Sequence, residues 1–279
     1  MSAQSRPMSC WKCGFLFSYP TPSAAVFDAY YAPGGRWSSK QSDDHAARAH
    51  AKNKGKAGRA VAERIEGVLG PGRHRVLDVG CGTGAWLNTF ADRGWETFGL
   101  EPSTDVAFAR HHRVDHIPAD AGFDLVMAYH VLEHVPRPLD LLRQLAAALR
   151  IGGCCFVSVP RIDALAVHQD VAYSLNPPHV SAFLQDCLVG LFARAELETV
   201  AVMHDLDDVF SRGVPLRLRV LGRRVAGVPA APDPVPQLRA FLGELPRIRE
   251  EIREQGLRAK QERQELDRSK AEERSRGEV

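Results

Sequence analysis

The run Val76-Leu77-Asp78-Val79-Gly80-Cys81-Gly82-Thr83-Gly84 constrains this chain more than any other segment. β-type apolar residues lead into a loop with glycine at every second position, and helix-compatible residues follow from Ala85. A strand that turns sharply into a helix through such a loop presents bare backbone to a ligand. The first amides of the helix then face any carboxylate, ribose or phosphate placed there. Asp78, two places before the first glycine, suits a ligand with a cationic end and polar hydroxyls. The segment reads as a nucleotide-type cofactor site. Gly80, Gly82 and Ala85 also satisfy the looser G-x-G-x-x-G/A dinucleotide pattern, so the loop alone leaves a hydride-transfer enzyme open.

Beyond the loop, strands and helices alternate. Strands are expected at 75–79, 96–101, 113–117, 123–129, 154–159, 197–203 and 214–221, and helices at 42–69, 85–93, 103–111, 138–150 and 181–194. Leu139, Leu142, Leu145, Ala146 and Leu149 mark the buried stripe of one of them. The alternation predicts an α/β fold: a Rossmann-like, doubly wound, mostly parallel sheet with helices on both faces, plus a small N-terminal segment and a C-terminal helix. Open parallel sheets carry their chemistry at the carboxyl ends of the strands. Two strands deliver ionisable groups there. Glu96–Glu101 ends in an acid where a ribose diol would be gripped, and Phe123–Tyr129 runs into His130-Val131-Leu132-Glu133-His134-Val135. Nothing after that strand resembles a hydride-acceptor site, which turns the reading away from an oxidoreductase.

These motifs, in this order, resemble the class I S-adenosylmethionine-dependent methyltransferases, the broad group written around LDVGCGTG and HVLEHV. Pro136-Arg137-Pro138 and Leu149-Arg150-Ile151-Gly152-Gly153 extend the likeness, with isoleucine where the group usually has proline. The match runs from about Arg75 to Glu196, and more weakly to about Leu221. The resemblance implies S-adenosyl-L-methionine as cofactor. The backbone of Gly80, Cys81, Gly82 and Gly84 would hold its methionine part, and Glu101 would accept both ribose hydroxyls. Asp78 would face the ammonium or brace the loop, with His130 among the cofactor contacts. Relatives carry an acid after the third strand that meets the adenine amine. Here that stretch is compressed to residues 114–122, and Asp120 or Asp115 would substitute.

Methyl transfer from a sulfonium is an in-line displacement that needs alignment above all. A hydroxyl acceptor also needs a base. His134 and His179 are the candidate catalytic residues, because histidine titrates near neutral pH. His179 lies in Asn176-Pro177-Pro178-His179-Val180-Ser181, where Ser181 is the expected helix N-cap. Two other readings of the H-x-x-E-H string stay open. It can hold a divalent metal together with His179, as in relatives with an E-x-x-E-H pattern, or it can tie the loop into the fold. No metal is assigned. The resulting expectation is O-methylation of a small polar acceptor such as a sugar, envelope glycan or secondary metabolite. The alternatives are N- or C-methylation, and a degenerate scaffold acting through its C-terminal helix.

The remaining segments divide as 1–40, a Cys/aromatic segment; 41–226, the catalytic domain; 227–236, a proline-rich linker; and 237–279, a charged helix. Cys10-Trp11-Lys12-Cys13-Gly14 supplies half of a zinc knuckle, or a hairpin packed on the main domain. Leu238, Phe241, Leu242, Leu245, Ile248 and Ile252 form a stripe that seats the last helix on the core or pairs it with a second copy or a partner. A net charge of +2 gives no general reason to expect nucleic acid. No apolar run approaches the roughly 20 residues of a membrane span. Six scattered cysteines form no disulfide framework and fit a reducing cytoplasm.

Overall fold

The computed structural model describes residues 6–10, 12–31, 58–102, 110–165, 175, 179–203, 217–247, 250 and 254. Ten strands are found among these residues: β1 (Arg6–Ser9), β2 (Leu16–Tyr19), β3 (Arg75–Val79), β4 (Glu96–Leu100), β5 (His112–Arg113), β6 (Phe123–Tyr129), β7 (Leu149–Pro160), β8 (Ser181–Ala182), β9 (Leu197–Met203) and β10 (Arg217–Arg224). Seven of them form one sheet in the order β5-β4-β3-β6-β7-β10-β9. All neighbours run parallel except β10, which is antiparallel to both β7 and β9. The expected α/β architecture is therefore the observed one.

The central strands are apolar on both faces because both faces are covered. Val76, Leu77 and Leu125 to Ala128 are fully buried. One face packs on helices Pro138–Ala148 and Gln185–Arg194, whose Leu142, Leu145, Leu188 and Phe192 join Leu77, Val126 and Val157. The other packs on helix 58–69 and helix Ala85–Ala91, through Val61, Ile65, Leu87 and Phe90. At the amino ends of the central strands, Asp124 ties the layers together. Its carboxylate accepts from the Arg75 amide at 2.8 Å and from Arg150 Nε at 2.7 Å, with His74 Nδ1 3.6 Å away.

Strands 75–79, 123–129 and 197–203 match expectation residue for residue. Others differ, for local reasons. β7 starts at Leu149 rather than 154, because Leu149 pairs with Phe123 as soon as the helix ends. β10 runs on to Arg224, past the expected 221, and residues 214–216 lie outside the described residues. β5 is reduced to two residues. Ser181 is no helix cap: it lies in β8, its hydroxyl donates to the Val135 carbonyl at 2.9 Å, and the helix starts at Gln185. The expected helix at 103–111 and the start of the one at 42–69 lie largely outside the described residues.

The terminal segments fold onto the main unit. β1 and β2 form a hairpin, and β2 pairs with β8 in a second, three-stranded sheet. Phe15 packs on Phe17 and Phe183 with ring centroids 5.7 and 6.0 Å away. The last helix begins at 235, inside the span read as a linker. Its Leu238 and Phe241 are 0% and 7% exposed within the chain's own core, so the start of the stripe is consumed internally rather than offered to a second copy. Ile252 and most of the charged tail lie outside the described residues.

Candidate active site

The glycine loop leaves β3 and folds over the end of β4. The Gly80 and Cys81 amides donate to the Leu100 carbonyl at 2.7 and 3.1 Å, and the Gly82 amide donates to Glu101 Oε2 at 2.8 Å. Gly80 takes a positive φ of 74°, and a Cβ there would stand 2.7 Å from Val131 Cγ2. Only glycine meets both demands. At Gly82 (φ +52) the same imaginary Cβ would meet nothing within 4 Å, so the loop keeps an open face beside Glu101. Asp78 and Glu101 are almost wholly buried. Burial and these two carboxylates push the Cys81 thiol up, so Cys81 is a neutral wall, not a nucleophile. A loop with bare backbone, an open face and a buried acid at the next strand end fits a nucleoside cofactor with a ribose diol.

The second half of the site follows β6. His130 adopts a left-handed φ of 57°, a strained setting for a residue with a Cβ, while its amide donates to the Ser158 carbonyl at 2.8 Å. The chain then makes a 3-10 turn over Leu132–His134. This turn places Glu133 inside the protein, with Oε1 2.8 Å from His130 Nδ1 and 3.9 Å from His134 Nε2. Burial pushes the Glu133 carboxyl up, but the His130 hydrogen bond and the two nearby imidazoles outweigh it and hold the group below its ordinary range. An ionised carboxylate only accepts, so His130 carries its proton on Nδ1 and leaves Nε2 available.

His179 is brought in from another part of the chain. The Val180 amide donates to the Glu133 carbonyl at 2.8 Å, and the Ser18 amide of β2 donates to the Val180 carbonyl at 2.9 Å. These bonds set the His179 ring edge-on to His134, with centroids 4.8 Å apart. Glu133, His134 and His179 have ligand atoms within 4.8 Å of one another, a set that can also receive a divalent cation.

The structure thus gathers Asp78, Gly80, Cys81, Gly82, Gly84, Glu101, His130, His134 and His179 at the carboxyl edge of β3, β4 and β6. Asp120 is the exception. It is exposed, and its amide donates to the Ala147 carbonyl at 2.9 Å, just ahead of β6. Seven residues of strand put it ~20 Å from the carboxyl edge. The short connection must return from the end of β5 to the start of β6, so its last residues are carried away from the site. Asp115, at the beginning of that connection and 3.8 Å from Arg113 Nε, stays on the correct edge. Three neighbours of the site escaped the sequence reading. Val131 closes on Gly80, Arg113 donates to the Glu101 carbonyl at 3.3 Å, and His111 stands 2.8 Å from Thr97 Oγ1. Each depends on strand register, which leaves no mark at the level of motifs.

Comparison with known proteins agrees with this geometry. A methyltransferase-domain family profile matches residues 44–202. Ubiquinone biosynthesis O-methyltransferase of Vibrio parahaemolyticus is 33% identical over 114 residues, covering 35% of this chain and 47% of that protein. The protein of the same name from Pectobacterium atrosepticum is 30% identical over 122 residues, covering 38% and 49%. The chain thus spans about half the length of the curated relatives it matches. Among solved structures, 1,6-didemethyltoxoflavin-N1-methyltransferase of Burkholderia thailandensis, with 1,6-didemethyltoxoflavin and S-adenosylhomocysteine bound, superposes with a TM-score of 0.54. It shares 17% identity over 80% of this chain and all of that one, a likeness of fold alone. With the glycine loop, the buried Glu101 and the family profile in agreement, the chain belongs to the methyltransferase-domain family, among the class I S-adenosylmethionine-dependent methyltransferases.

Proposed function

We propose that this protein transfers a methyl group from S-adenosylmethionine to an oxygen of a small polar acceptor, with His134 or His179 taking the proton. The observation that carries the reading is the placement of this histidine pair, backed by buried Glu133, beside the glycine loop at one strand edge. The similarity to O-methyltransferases over the same stretch supports oxygen as the target. When bound, S-adenosylmethionine supplies an electrophilic methyl on a sulfonium. Glu101 would hold the ribose hydroxyls, and the backbone from Gly80 to Gly84 would hold the methionine part. The Glu133 carboxylate stabilises positive charge on a neighbouring imidazole, so a histidine that takes a hydroxyl proton becomes a better base.

The test is release of S-adenosylhomocysteine by the full chain with a panel of hydroxylated and amine acceptors. His134→Ala and His179→Ala should lower O-transfer, the true base by about 100-fold to 10,000-fold. Transfer to a neutral amine should survive far better. Full O-transfer activity in both variants would sink the assignment.

A further inference from the structure

The N-terminal hairpin turns through Cys10 to Gly14, and this turn takes no part in the site above. The Cys13 and Gly14 amides donate to the Cys10 carbonyl at 3.4 and 2.9 Å, and the Cys10 amide donates to the Phe15 carbonyl at 2.8 Å. A turn closed between its first and fourth residues holds their Cα atoms within about 7 Å, the span that a disulfide bridges. The side chains meet as well: the Cys13 thiol donates a hydrogen bond to the Cys10 sulfur. Underneath, Gly14 adopts a positive φ of 65°, and a Cβ there would stand 3.1 Å from Pro234 Cβ and 3.7 Å from Cys187 Cβ. The turn is therefore clamped between helix Gln185–Arg194 and the segment that leads into the last helix.

The cysteines of the chain fall into two kinds. Cys81, Cys154, Cys155 and Cys187 are buried, and burial pushes each thiol up, which keeps it protonated and unreactive. Cys10 and Cys13 are half-buried. The Lys12 amide beside the Cys10 sulfur outweighs the burial that opposes it. Hydrogen bonds from Cys13 and the Lys12 charge add to the effect, so this thiol is held below its ordinary value. Burial pushes the Cys13 thiol up, against the pull of the Phe15 amide. The turn thus joins a readily ionised thiol to a more protonated neighbour, the pairing of an attacking and a resolving cysteine. Among the described residues, the cluster able to hold a metal is Glu133, His134 and His179, and neither cysteine belongs to it. Tetrahedral zinc needs further ligands beyond two thiols, whereas a disulfide needs only the pair.

We infer that Cys10 and Cys13 form a reversible dithiol–disulfide site, oxidised by low-molecular-weight disulfides of the glutathione type. The Cys10 thiolate attacks one sulfur of the small disulfide and expels the other as a thiolate. The Cys13 thiolate then attacks the Cys10 sulfur of this mixed disulfide and expels the second small thiolate. One S–S bond breaks as another forms. The two cysteines lose two electrons and two protons, and the small disulfide takes them up as two thiols. Strand Leu16–Tyr19 follows the turn, and its Ser18 amide donates to the Val180 carbonyl beside His179. The redox site therefore lies on the element that seats a candidate base.

The experiment incubates the reduced full chain with oxidised glutathione at neutral pH, quenches with acid, and reads the intact mass and the linked peptides. The parent should lose two hydrogens and carry a Cys10–Cys13 disulfide, with no lasting glutathione adduct, and dithiothreitol should restore both thiols. Cys13→Ser should instead accumulate a glutathione adduct at Cys10, because nothing resolves it. Cys10→Ser should react about tenfold more slowly than the parent, since the remaining thiol is the more protonated one. Both variants should melt with the parent and leave Cys187 unmodified, which separates the chemistry of the pair from unfolding. If a variant fails to fold, the parent's own linked peptide decides the matter. A lasting adduct in the parent, equal rates in the parent and Cys10→Ser, or stoichiometric zinc holding both thiols in the purified chain overturns the site. None of these readouts depends on the methyltransferase reading.

Discussion

The two ends of the same central strands carry ionisable clusters of opposite character. Around Asp124, at the amino edge, the contacts close on one another, although nearby Arg223 Nε is buried without a hydrogen-bond partner among the described residues. Asp124 accepts from the Arg75 amide and from Arg150, with His74 alongside, and His74 Nε2 in turn reaches the Gly70 carbonyl at 2.9 Å. The Arg75 guanidinium donates to the Ala121 carbonyl and covers the Phe123 ring at 4.7 Å. At the carboxyl edge the backbone is strained at His130, and an open face is kept at Gly82. Glu133 Oε2, Ser158 Oγ and Trp86 Nε1 are buried without a hydrogen-bond partner among the described residues. Charge by itself therefore marks neither edge as functional. What distinguishes them is whether the polar groups satisfy one another, which stabilises the fold, or are held ready for something else.

The largest effect that would test this contrast is at Glu101. Glu101→Ala should weaken S-adenosylmethionine by about 100-fold in a calorimetric titration, the scale of two charge-assisted hydrogen bonds, with the fold retained by circular dichroism. Affinity within threefold of the parent would break the assignment of this edge to the cofactor. The counterpart is Asp124→Asn, expected to cost about 2 kcal/mol in urea unfolding while leaving cofactor affinity alone. If it weakened the cofactor as much as Glu101→Ala, the two edges would not be separable.

The amino edge also has a pH signature. Burial pushes the Asp124 carboxyl up, but the Arg150 hydrogen bond, the Arg75 amide and the neighbouring charges outweigh it and hold the group below the ordinary carboxylate range. A depressed folded-state value means that the contribution is complete above the unfolded value of about 3.9. It is lost as pH falls from there through the folded value. Urea midpoints measured from pH 7 to pH 3 should show that loss in the parent and not in Asp124→Asn. The smallest effect is at Gly82→Ala. A left-handed φ with open space should cost only about 1 kcal/mol of stability, yet the new methyl fills the open face and should weaken the cofactor. A variant that binds the cofactor as the parent does would show that this face is not used.

The sequence by itself determined the fold class, the glycine loop with Asp78 and Glu101, and the strands 75–79, 123–129 and 197–203. These depend on short-range patterns: continuous apolar runs for strands covered on both faces, and glycines where the backbone must take a positive φ. The tertiary structure decided the rest. Asp120 went to the wrong edge because a short connection has to run back along the strand. Ser181 joined β2 rather than capping a helix, because the N-terminal hairpin needed a third strand. The apolar stripe of the last helix could serve the core or a partner, and the available space beside helix Gln185–Arg194 placed Leu238 and Phe241 in the core. Tyr129, Ser158, Arg219 and Met203, partners in register across four strands, are up to 90 positions apart. Register between strands distant in sequence is settled by packing on both faces of the sheet, and no local pattern records it.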